Sequence, residues 1–432
     1  MAGGQGETHI DHDPVLNEAL HSRRLASGVR AYVLPKPGFA KSFATFSARY
    51  GSIDRVFVPP GASAPVEVPD GIAHFLEHQL FEERDGNASD RFAAIGADDN
   101  AFTTFGQTTY LFSATERFEE GVDILARFVQ NPYFTDRGVE KEKGIIEQEI
   151  RMRLDDPGTR AFHNLTQALF QVHPVRLPVE GSVDSIRQIT RDLLASCYAT
   201  FYHPENMVFF AVGDLEPEAV FEHLERRIEC RPGSPPKERI YPEEPRLPAR
   251  TYVEERAVVA RPVLVLGIKE GSAGAERYLE RDVETGLLLE LLYGRSSSWH
   301  EKNYAEGLID DHFATYYFGG PDFAATVIGG ETSDPAALRR SIEARFEELG
   351  REGVDPAVFE RLRRKAMGEF VALFDAPEAI AHSFVDGIFK NVSIFDLRPR
   401  LEAVTRDDLE RRLREHFVPE MVAASVILPQ DA

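Results

Sequence analysis

The 432-residue sequence predicts an α+β fold with two similar domains joined by a proline-rich connector. Strand-like stretches precede groups of helices instead of alternating singly with them, which is the order typical of α+β proteins. Residues 230–250 contain six prolines, as expected of an extended connector. After this segment the order of strands and helices starts again. We therefore predict a first domain over residues 1–230, a connector over 231–250 and a second domain over 251–432.

The individual elements follow from hydrophobic periodicity and turn residues. In the first half we predict strands at 29–34 and 43–50, a helix that carries two histidines, strands within 101–113, two helices ending at 154, a helix at 187–198 and a strand at 207–212. In the second half we predict a strand at 258–267, a helix at 281–293, strands at 312–317 and 326–329, and helices at 335–349 and 356–373. The repeated order predicts an internal duplication of architecture.

Two histidines and a glutamate lie close together in the segment 69–81. At about 100° per residue, His74, Glu77 and His78 project from one face of a helix. Histidines four residues apart suit tetrahedral Zn²⁺, which keeps one position open for water in catalytic sites. Glu77 then lies where a base for that water is needed. The order H-x-x-E-H is the inverzincin pattern, and it predicts hydrolytic zinc chemistry.

A third ligand distinguishes this site from an ordinary amphipathic helix that carries two histidines. Residues 138–151 offer four glutamates on a predicted helix. With Glu142 at 0°, Ile145 falls near 300°, Ile146 near 40° and Glu149 near 340°, so both acids share the apolar face. The other two glutamates point to solvent. Because buried carboxylates need a partner or a metal, we expect Glu142 and Glu149 to be a metal ligand and the neighbour of one.

Composition and charge exclude several classes of protein. The chain is 43% hydrophobic and 28% charged, with a net charge of −22, which argues against nucleic acid or an anionic membrane as partner and weakly favours basic peptides. Cys197 and Cys230 lie far from the candidate ligands in sequence, so we expect no disulfide framework. The first seven residues lack the basic and apolar parts of a targeting peptide, and no apolar run reaches membrane-spanning length. We predict a cytoplasmic protein.

Taken with these residues, the chain resembles the pitrilysin family of zinc peptidases, which includes insulysin and the mitochondrial processing peptidase. Within the family it resembles the small two-domain bacterial subunits. The matching stretches are residues 71–81, 100–103 with 109–112, 140–152, and 201–207 with 213–214. The resemblance implies two α/β-sandwich domains, of which the first is the zinc-binding catalytic domain and the second a similar domain without metal.

The resemblance also assigns the site residues. It implies one Zn²⁺ per chain on His74, His78 and Glu149. Glu77 carries over as the general base, and Glu142 as the additional acid of the catalytic set. The implied activity is that of a zinc metalloendopeptidase acting on peptides or unfolded segments.

An edge strand in the first half is implied to bind the substrate. In the family, an extended peptide adds to the sheet at this edge, so that backbone hydrogen bonds supply affinity. Residues 100–105 match that strand, and the predicted substrate-binding residues are Asn100, Ala101, Phe102 and Thr103. The strand-forming residues here, next to the turn-like segment 96–99, agree with this prediction.

The second half departs from the family at a functional position. Family members place an arginine and a tyrosine seven residues apart around a Gly-Leu pair, where they hold the substrate and the oxyanion. This chain has Asn303 or Tyr304, and Asp310, at those positions. We therefore predict a heterodimer in which a paralogous subunit supplies the Arg/Tyr pair. The alternatives are a homodimeric peptidase, with Arg295, Tyr316 or Tyr317 as substitutes, and an inert structural or binding subunit.

Overall fold

The computed structural model describes residues 6–231, 235, 238–271, 274–320 and 322–430. The chain forms two compact units, each built from three segments. Unit 1 consists of Met1–Ile150, Pro178–Tyr241 and Leu373–Phe389. Unit 2 consists of Arg151–Leu177, Pro242–Ala372 and Lys390–Ala432. Residues 1–5, on which part of the targeting prediction depends, lie outside the described residues.

The elements are numbered in chain order. The strands are β1 (His9–Asp13), β2 (Glu18–Arg24), β3 (Arg30–Pro35), β4 (Ser42–Ala48), β5 (Val56–Val58), β6 (Val66–Glu67), β7 (Glu82–Glu83), β8 (Gly86–Asn87), β9 (Asp98–Thr103), β10 (Thr108–Ala114), β11 (Met207–Gly213), β12 (Glu238–Arg239), β13 (Tyr252–Ala257), β14 (Val263–Glu270), β15 (Ala314–Gly319), β16 (Ala324–Glu331) and β17 (Val422–Pro429). The helices are α1 (Ile72–Leu80), α2 (Ala88–Ala94), α3 (Phe118–Gln130), α4 (Asp136–Asp155), α5 (Pro157–Leu169), α6 (Val183–Ile186), α7 (Arg191–Phe201), α8 (Pro217–Arg227), α9 (Ala275–Tyr293), α10 (Ser298–Ala305), α11 (Pro335–Glu352), α12 (Pro356–Leu373), α13 (Pro377–Ile388), α14 (Leu397–Ala403) and α15 (Arg406–His416).

Unit 1 is built on a seven-stranded sheet in the order β1-β2-β3-β11-β4-β10-β9. The strands β4, β10 and β11 are buried along their whole length, which is expected when both faces of a sheet are covered. Side chains of β11 alternate between these faces. Phe209 packs on Phe46 in the main core, whereas Phe210 stacks on Phe384 of α13 with ring centroids 4.2 Å apart.

Unit 2 repeats the pairing of the last five strands of unit 1. Its sheet has the order β13-β17-β14-β16-β15. The pair β13 and β17 is parallel and the other three pairs are antiparallel, as are the corresponding pairs in β3-β11-β4-β10-β9. Numbered by their order in the chain, the five strands also lie side by side in the same sequence in both sheets: first, fifth, second, fourth, third. The predicted α+β class is confirmed, and the shared pairing supports the predicted duplication.

Two helices pack on the sheet of the other half of the chain, and not on the sheet of the predicted domain that contains them. The first predicted domain includes α5, but α5 packs on β14 and β17 of unit 2. The second predicted domain includes α13, but α13 packs on β4 and β11 of unit 1. Each helix buries its apolar face where a sheet offers a complementary one, and position in the sequence does not decide that. The functional division at residues 231–250 stays a prediction.

The prediction of individual elements was wrong at the start of one strand and left out elements in both halves of the chain. The strand predicted at 258–267 begins only at Val263, since residues 258–262 form a bend after β13. The elements that were not predicted are the helices α2, α5, α6, α8, α10, α13, α14 and α15 and the strands β1, β2, β5, β6, β7, β8, β12, β13 and β17. In the connector, Glu238–Arg239 is a strand that pairs with β5. Residues 232–234 and 236–237 of the connector lie outside the described residues.

Candidate metal centre

The helix α1 begins at a point where two glycines bring backbone segments into close contact. Gly71 has φ of 83°, and a Cβ on it would lie 2.3 Å from the carbonyl oxygen of Glu180. Gly181 has φ of 78°, and its Cβ would lie 2.6 Å from the carbonyl oxygen of Asp70. A side chain at either position would push the segments apart and would strain the backbone. These two glycines therefore fix where the histidine helix starts.

The three predicted ligands come together in unit 1. The Nε2 atoms of His74 and His78 each lie 3.6 Å from Oε2 of Glu149. One ligand atom from each of the three residues lies within 4.8 Å of the others, and within the described part of the chain this is the one such group. Two imidazole nitrogens and a carboxylate oxygen form a donor set that suits Zn²⁺. The arrangement of these residues therefore fits the metal.

Glu149 and Glu142 are positioned by α4. The hydroxyl of Thr135 accepts a hydrogen bond of 2.9 Å from the amide of Gly138 at the start of this helix. The buried face contains Glu142 but not Ile145, which is 45% exposed, although the helical angles had placed Ile145 on the apolar face. The apolar stripe is narrower than expected because it follows Val139, Ile146 and Ile150.

Glu142 contacts the imidazole of His78 from the side opposite to Glu149. The Nδ1 of His78 lies 2.9 Å from Oε1 of Glu142. Burial lowers the pKa of His78, but this hydrogen bond and the charges of Glu77, Glu142 and Glu149 outweigh burial and raise it. When Nδ1 carries the proton that Glu142 accepts, Nε2 keeps its lone pair towards Glu149. Glu142 thereby selects the tautomer that a metal ligand needs.

Glu77 is held by the strand next to its helix. It is 6% exposed, and its Oε2 accepts a hydrogen bond of 2.5 Å from the hydroxyl of Thr103 on β9. The Thr103 hydroxyl also lies 3.2 Å from that of Thr108, which in turn donates to the carbonyl of Tyr50. Thr103, predicted to bind substrate, thus has a side chain that orients the predicted base.

A pair of buried phenols lies near Glu77. The hydroxyls of Tyr110 and Tyr202 are 2.8 Å apart. Burial, then the neighbouring Tyr202 and the Glu77 carboxylate, raise the pKa of Tyr110 well above its ordinary value. Burial raises the pKa of Tyr202 as well, so both phenols stay neutral and one of them donates its hydrogen bond to the other.

The strand β9 lies at the edge of the unit 1 sheet, as predicted. It spans Asp98–Thr103 and pairs with β10 on one side. The residues Asn100, Ala101, Phe102 and Thr103 lie in it, whereas Thr104 and Phe105 lie in the turn that follows. Phe102 contacts the ring of His382 on α13, with centroids 5.5 Å apart. The strand has the position that peptide addition requires, and binding of peptide there stays a prediction.

In unit 2, the residues at the positions of the missing Arg/Tyr pair have other partners. The side-chain amide of Asn303 donates to the carbonyl of Trp299 and its oxygen accepts from Ser341. Asp310 forms an ion pair of 3.1 Å with Arg261. Tyr304 is 47% exposed. Asn303 and Asp310 are thus used inside unit 2.

The three candidate substitutes differ in how far they are exposed. The side chain of Arg295 is 79% exposed and lies 3.9 Å from Asp311, and Tyr316 is 42% exposed. The hydroxyl of Tyr317 donates to Glu270 at 2.8 Å. Arg295 and Tyr316 therefore remain the more accessible of the three.

Sequence reasoning missed the side chains that support the site from outside the motif. These include Gly181, Thr108 and Asp54, of which the last is a buried carboxylate discussed below. Gly181 follows a proline-rich stretch, and a glycine there was the one local signal. The bond of Thr108 to Tyr50 and the contacts of Asp54 with Arg239 and Tyr241 join distant parts of the chain, so the sequence near Thr108 or Asp54 does not indicate them.

Comparison with known proteins identifies the family. Residues 53–183 match the model described as insulinase (peptidase family M16), and residues 188–366 match the one described as peptidase M16 inactive domain. Together these spans cover more than half of the chain. The chain belongs to peptidase family M16, and the resemblance seen in the sequence is confirmed.

Similarity to individual proteins supports the assignment to this family. Over 427 residues the chain is 38% identical to the protein named uncharacterized zinc protease YmfH of Bacillus subtilis (strain 168), covering 96% of this chain and 98% of that protein. The structure of an M16-like peptidase from Alicyclobacillus acidocaldarius has a TM-score of 0.90 and 34% identity, over 99% of this chain and 100% of that chain. A probable mitochondrial-processing peptidase subunit beta of Arabidopsis thaliana is 26% identical over 219 residues, 49% of this chain and 41% of that protein.

None of the helices among the described residues is long and apolar enough to cross a membrane. The cytoplasmic location stays a prediction.

Proposed function

We propose that this chain is a zinc metalloendopeptidase that hydrolyses peptides or unfolded polypeptide segments. The observation that carries the proposal is the convergence of His74, His78 and Glu149, with ligand atoms within 4.8 Å of one another, next to the buried Glu77. The name of the Bacillus subtilis relative, a zinc protease, supports it. One Zn²⁺ would bind to these three residues.

The residues have separate roles in the proposed reaction. When bound, Zn²⁺ supplies Lewis acidity that polarises a peptide carbonyl and makes water more acidic at neutral pH. Glu77 takes up the proton that water gives up on attack and passes it to the leaving amine. Thr103 holds one oxygen of Glu77 in place through its 2.5 Å hydrogen bond. Glu142 orients His78 and does not touch the reacting atoms. An extended peptide pairs with the free edge of β9.

We also propose that the active form is a heterodimer. Loss of an oxyanion donor typically costs about 10²–10³ in turnover, and Asn303 and Asp310 are engaged within unit 2 where the family has its Arg/Tyr pair. A paralogous chain with that pair would supply the donor. The Arabidopsis thaliana relative is named as a subunit, which supports an assembly of two chains. The exposed Arg295 and Tyr316 favour the homodimer as the second candidate.

Metal analysis and a cleavage assay test these proposals together. The purified chain is expected to contain one Zn²⁺ after expression with zinc. It should cleave a quenched-fluorescence peptide slowly alone and faster with a paralogous chain that has the Arg/Tyr pair, and mass photometry should then show a dimer of the two. Absence of any transition metal would overturn the peptidase proposal. Full activity of the chain alone as a homodimer would overturn the heterodimer only.

A further inference from the structure

The turn after the central strand β4 packs directly against the end of the edge strand. This turn, residues 51–54, is called the Gly51 turn. A Cβ on Gly51 would lie 2.2 Å from the carbonyl oxygen of Phe105, so any side chain there would separate the two segments. The amide of Ser52 donates to the carbonyl of Thr104 at 3.0 Å, and the amide of Ile53 donates to that of Phe105 at 3.1 Å. The Gly51 turn therefore fixes the residues that follow Thr103.

A buried carboxylate shapes the Gly51 turn. Asp54 is 3% exposed, and its Oδ2 accepts a hydrogen bond of 2.9 Å from the amide of Gly51. Burial raises the pKa of Asp54, although its partners act to lower it. A carboxylate in such a place is stable only when neighbouring donors compensate for the lost water. Those donors come from a distant part of the chain.

The connector supplies one hydrogen-bond donor and one cation. The hydroxyl of Tyr241 donates to Oδ1 of Asp54 at 2.6 Å, and Nε of Arg239 lies 3.1 Å from the same oxygen. The Nη2 of Arg239 also donates to the carbonyl of Arg49 at 2.6 Å and to Oδ1 of Asn206 at 3.0 Å. Pairing of β12 with β5 sets the register in which both side chains reach Asp54. The connector is thus an integral part of unit 1 up to Tyr241.

We propose that Asp54 is a positioning residue for the reaction, held in place by Arg239 and Tyr241. The contacts form a continuous series from the connector to Asp54, to the Gly51 turn, to residues 104–105, and through Thr103 to Glu77. This inference rests on the proposed function, because β9 and Glu77 matter to the reaction only if the chain is a peptidase. Loosening the Gly51 turn frees the end of β9, where an extended peptide would pair.

The proposal makes different predictions for long and short substrates. A long extended peptide gains affinity from pairing along β9, whereas a short peptide gains little. A loosened β9 therefore raises KM more for the long peptide. A defect that only lowers the fraction of folded protein reduces kcat for both peptides equally and leaves KM unchanged. The split between KM and kcat separates positioning from a general effect on folding.

The test uses Tyr241→Phe, which removes one hydroxyl at nearly constant shape, in the full-length chain. Tyr252→Phe is the matched control, since Tyr252 donates to Glu254 at 2.7 Å and is 47% exposed on the β13 edge of unit 2. Hydrogen exchange is measured over residues 98–108 and over the central strand β11. Steady-state hydrolysis of a long and a short peptide and zinc content are measured in parallel. Asp54→Asn serves as a second variant.

We expect faster exchange over 98–108 and unchanged exchange over β11 in Tyr241→Phe. We also expect KM for the long peptide to rise about tenfold, as for loss of a hydrogen bond to a charged group, with zinc content unchanged. Wild-type hydrogen exchange over 98–108 and wild-type KM in both Tyr241→Phe and Asp54→Asn would overturn the proposal. So would an equal loss of kcat for both peptides at constant KM. If the wild type shows no hydrolysis even with the paralogous chain present, the proposed function is overturned, and the exchange result alone decides whether Asp54 positions β9.

Discussion

The two sheets share one pairing pattern but stabilise buried charge in different ways. In unit 1 the first helix after β4 in the chain is α1, whose His74 and His78 face Glu149. In unit 2 the corresponding helix, the first after β14, is α9, whose Thr285 accepts from the guanidinium of Arg412 on α15. The same framework therefore has a histidine and carboxylate cluster in one copy and an arginine network in the other.

The arginine network of unit 2 is satisfied by protein groups. Arg412 donates to both oxygens of Glu270, which also accepts from Tyr317. Burial raises the pKa of Glu270, but these partners outweigh it and lower the pKa to about 2. Glu284, next to Thr285, pairs with Arg400 at 2.8 Å. Because buried carboxylates need hydrogen-bond donors or a cation, the corresponding helices α1 and α9 show two solutions: imidazoles with a proposed metal in unit 1, and arginines in unit 2.

The largest effect is expected for the base. Glu77→Gln should lower kcat for peptide hydrolysis about 10²–10⁴-fold, because the amide cannot take up a proton. Zinc content should equal that of the wild type, since Glu77 is not among the three proposed ligands. Glu140→Gln is the control, as Glu140 on α4 has a side chain that is 70% exposed. A loss of zinc as large as that of His74→Ala would show that Glu77 belongs to the metal site.

The next largest effect is expected on the stability of unit 2, through its arginine network. Arg412→Met should destabilise unit 2 by about 3–5 kcal/mol, because it leaves Glu270 buried without its main partner. The single tryptophan, Trp299, is 7% exposed within unit 2, so its fluorescence during urea unfolding reports on that unit. Arg414→Met changes an exposed arginine of the same helix and is the control. Equal unfolding midpoints for the two variants would refute a structural role for the network.

A smaller effect is expected on zinc affinity when Glu142, the carboxylate next to His78, is changed. Glu142→Ala should weaken zinc binding about 10–100-fold, because His78 loses the partner that fixes its tautomer. Glu142→Gln keeps an acceptor and should lose less. Zinc affinity is measured by competition with a chelator, with Glu140→Ala as the exposed control. Wild-type affinity in Glu142→Ala would mean that the 2.9 Å contact with His78 does not support the ligand.

The sequence predicted the parts of the site that depend on one local element. His74, Glu77 and His78 lie within one helical turn, so their shared face follows from the helical period alone. The same argument left Glu142 and Glu149 undistinguished, because both occupy one face of α4. The family resemblance assigned the ligand to Glu149, and in the structure Glu149 lies near both imidazoles, whereas Glu142 contacts one of them.

Features that depend on contacts between distant residues could not be predicted. The helices α5 and α13 are ordinary amphipathic helices in sequence, and which sheet each covers depends on packing surfaces formed elsewhere in the chain. The interaction of Asp54 with Tyr241 joins residues 187 positions apart. A proline-rich connector predicts extended chain, but it gives no indication that two of its side chains bind a buried carboxylate.

The last expected effect is the contribution of His416 to the pH dependence of unit 2. His416 is 3% exposed, and its Nε2 lies 2.7 Å from the hydroxyl of Thr326. Burial, and then the positive charge of Arg412, lower its pKa from 6.5 to about 3. Below pH 6.5 the unfolded chain takes up a proton that the folded chain does not. Stability therefore falls as the pH drops towards 3, by about 1.4 kcal/mol per pH unit.

The window between pH 6.5 and 4.5 isolates this histidine from Glu270, whose contribution is lost only below its ordinary pKa of 4.5. We expect His416→Gln to flatten the pH dependence of the Trp299 unfolding midpoint in this window. His312→Gln, which changes an exposed histidine of unit 2, should retain the wild-type slope. If His416→Gln keeps the full slope, His416 is protonated in the folded chain. The arginine network would then hold an additional buried cation, and unit 2 would resemble the charged cluster of unit 1 more closely than the contacts of Glu270 and Arg412 indicate.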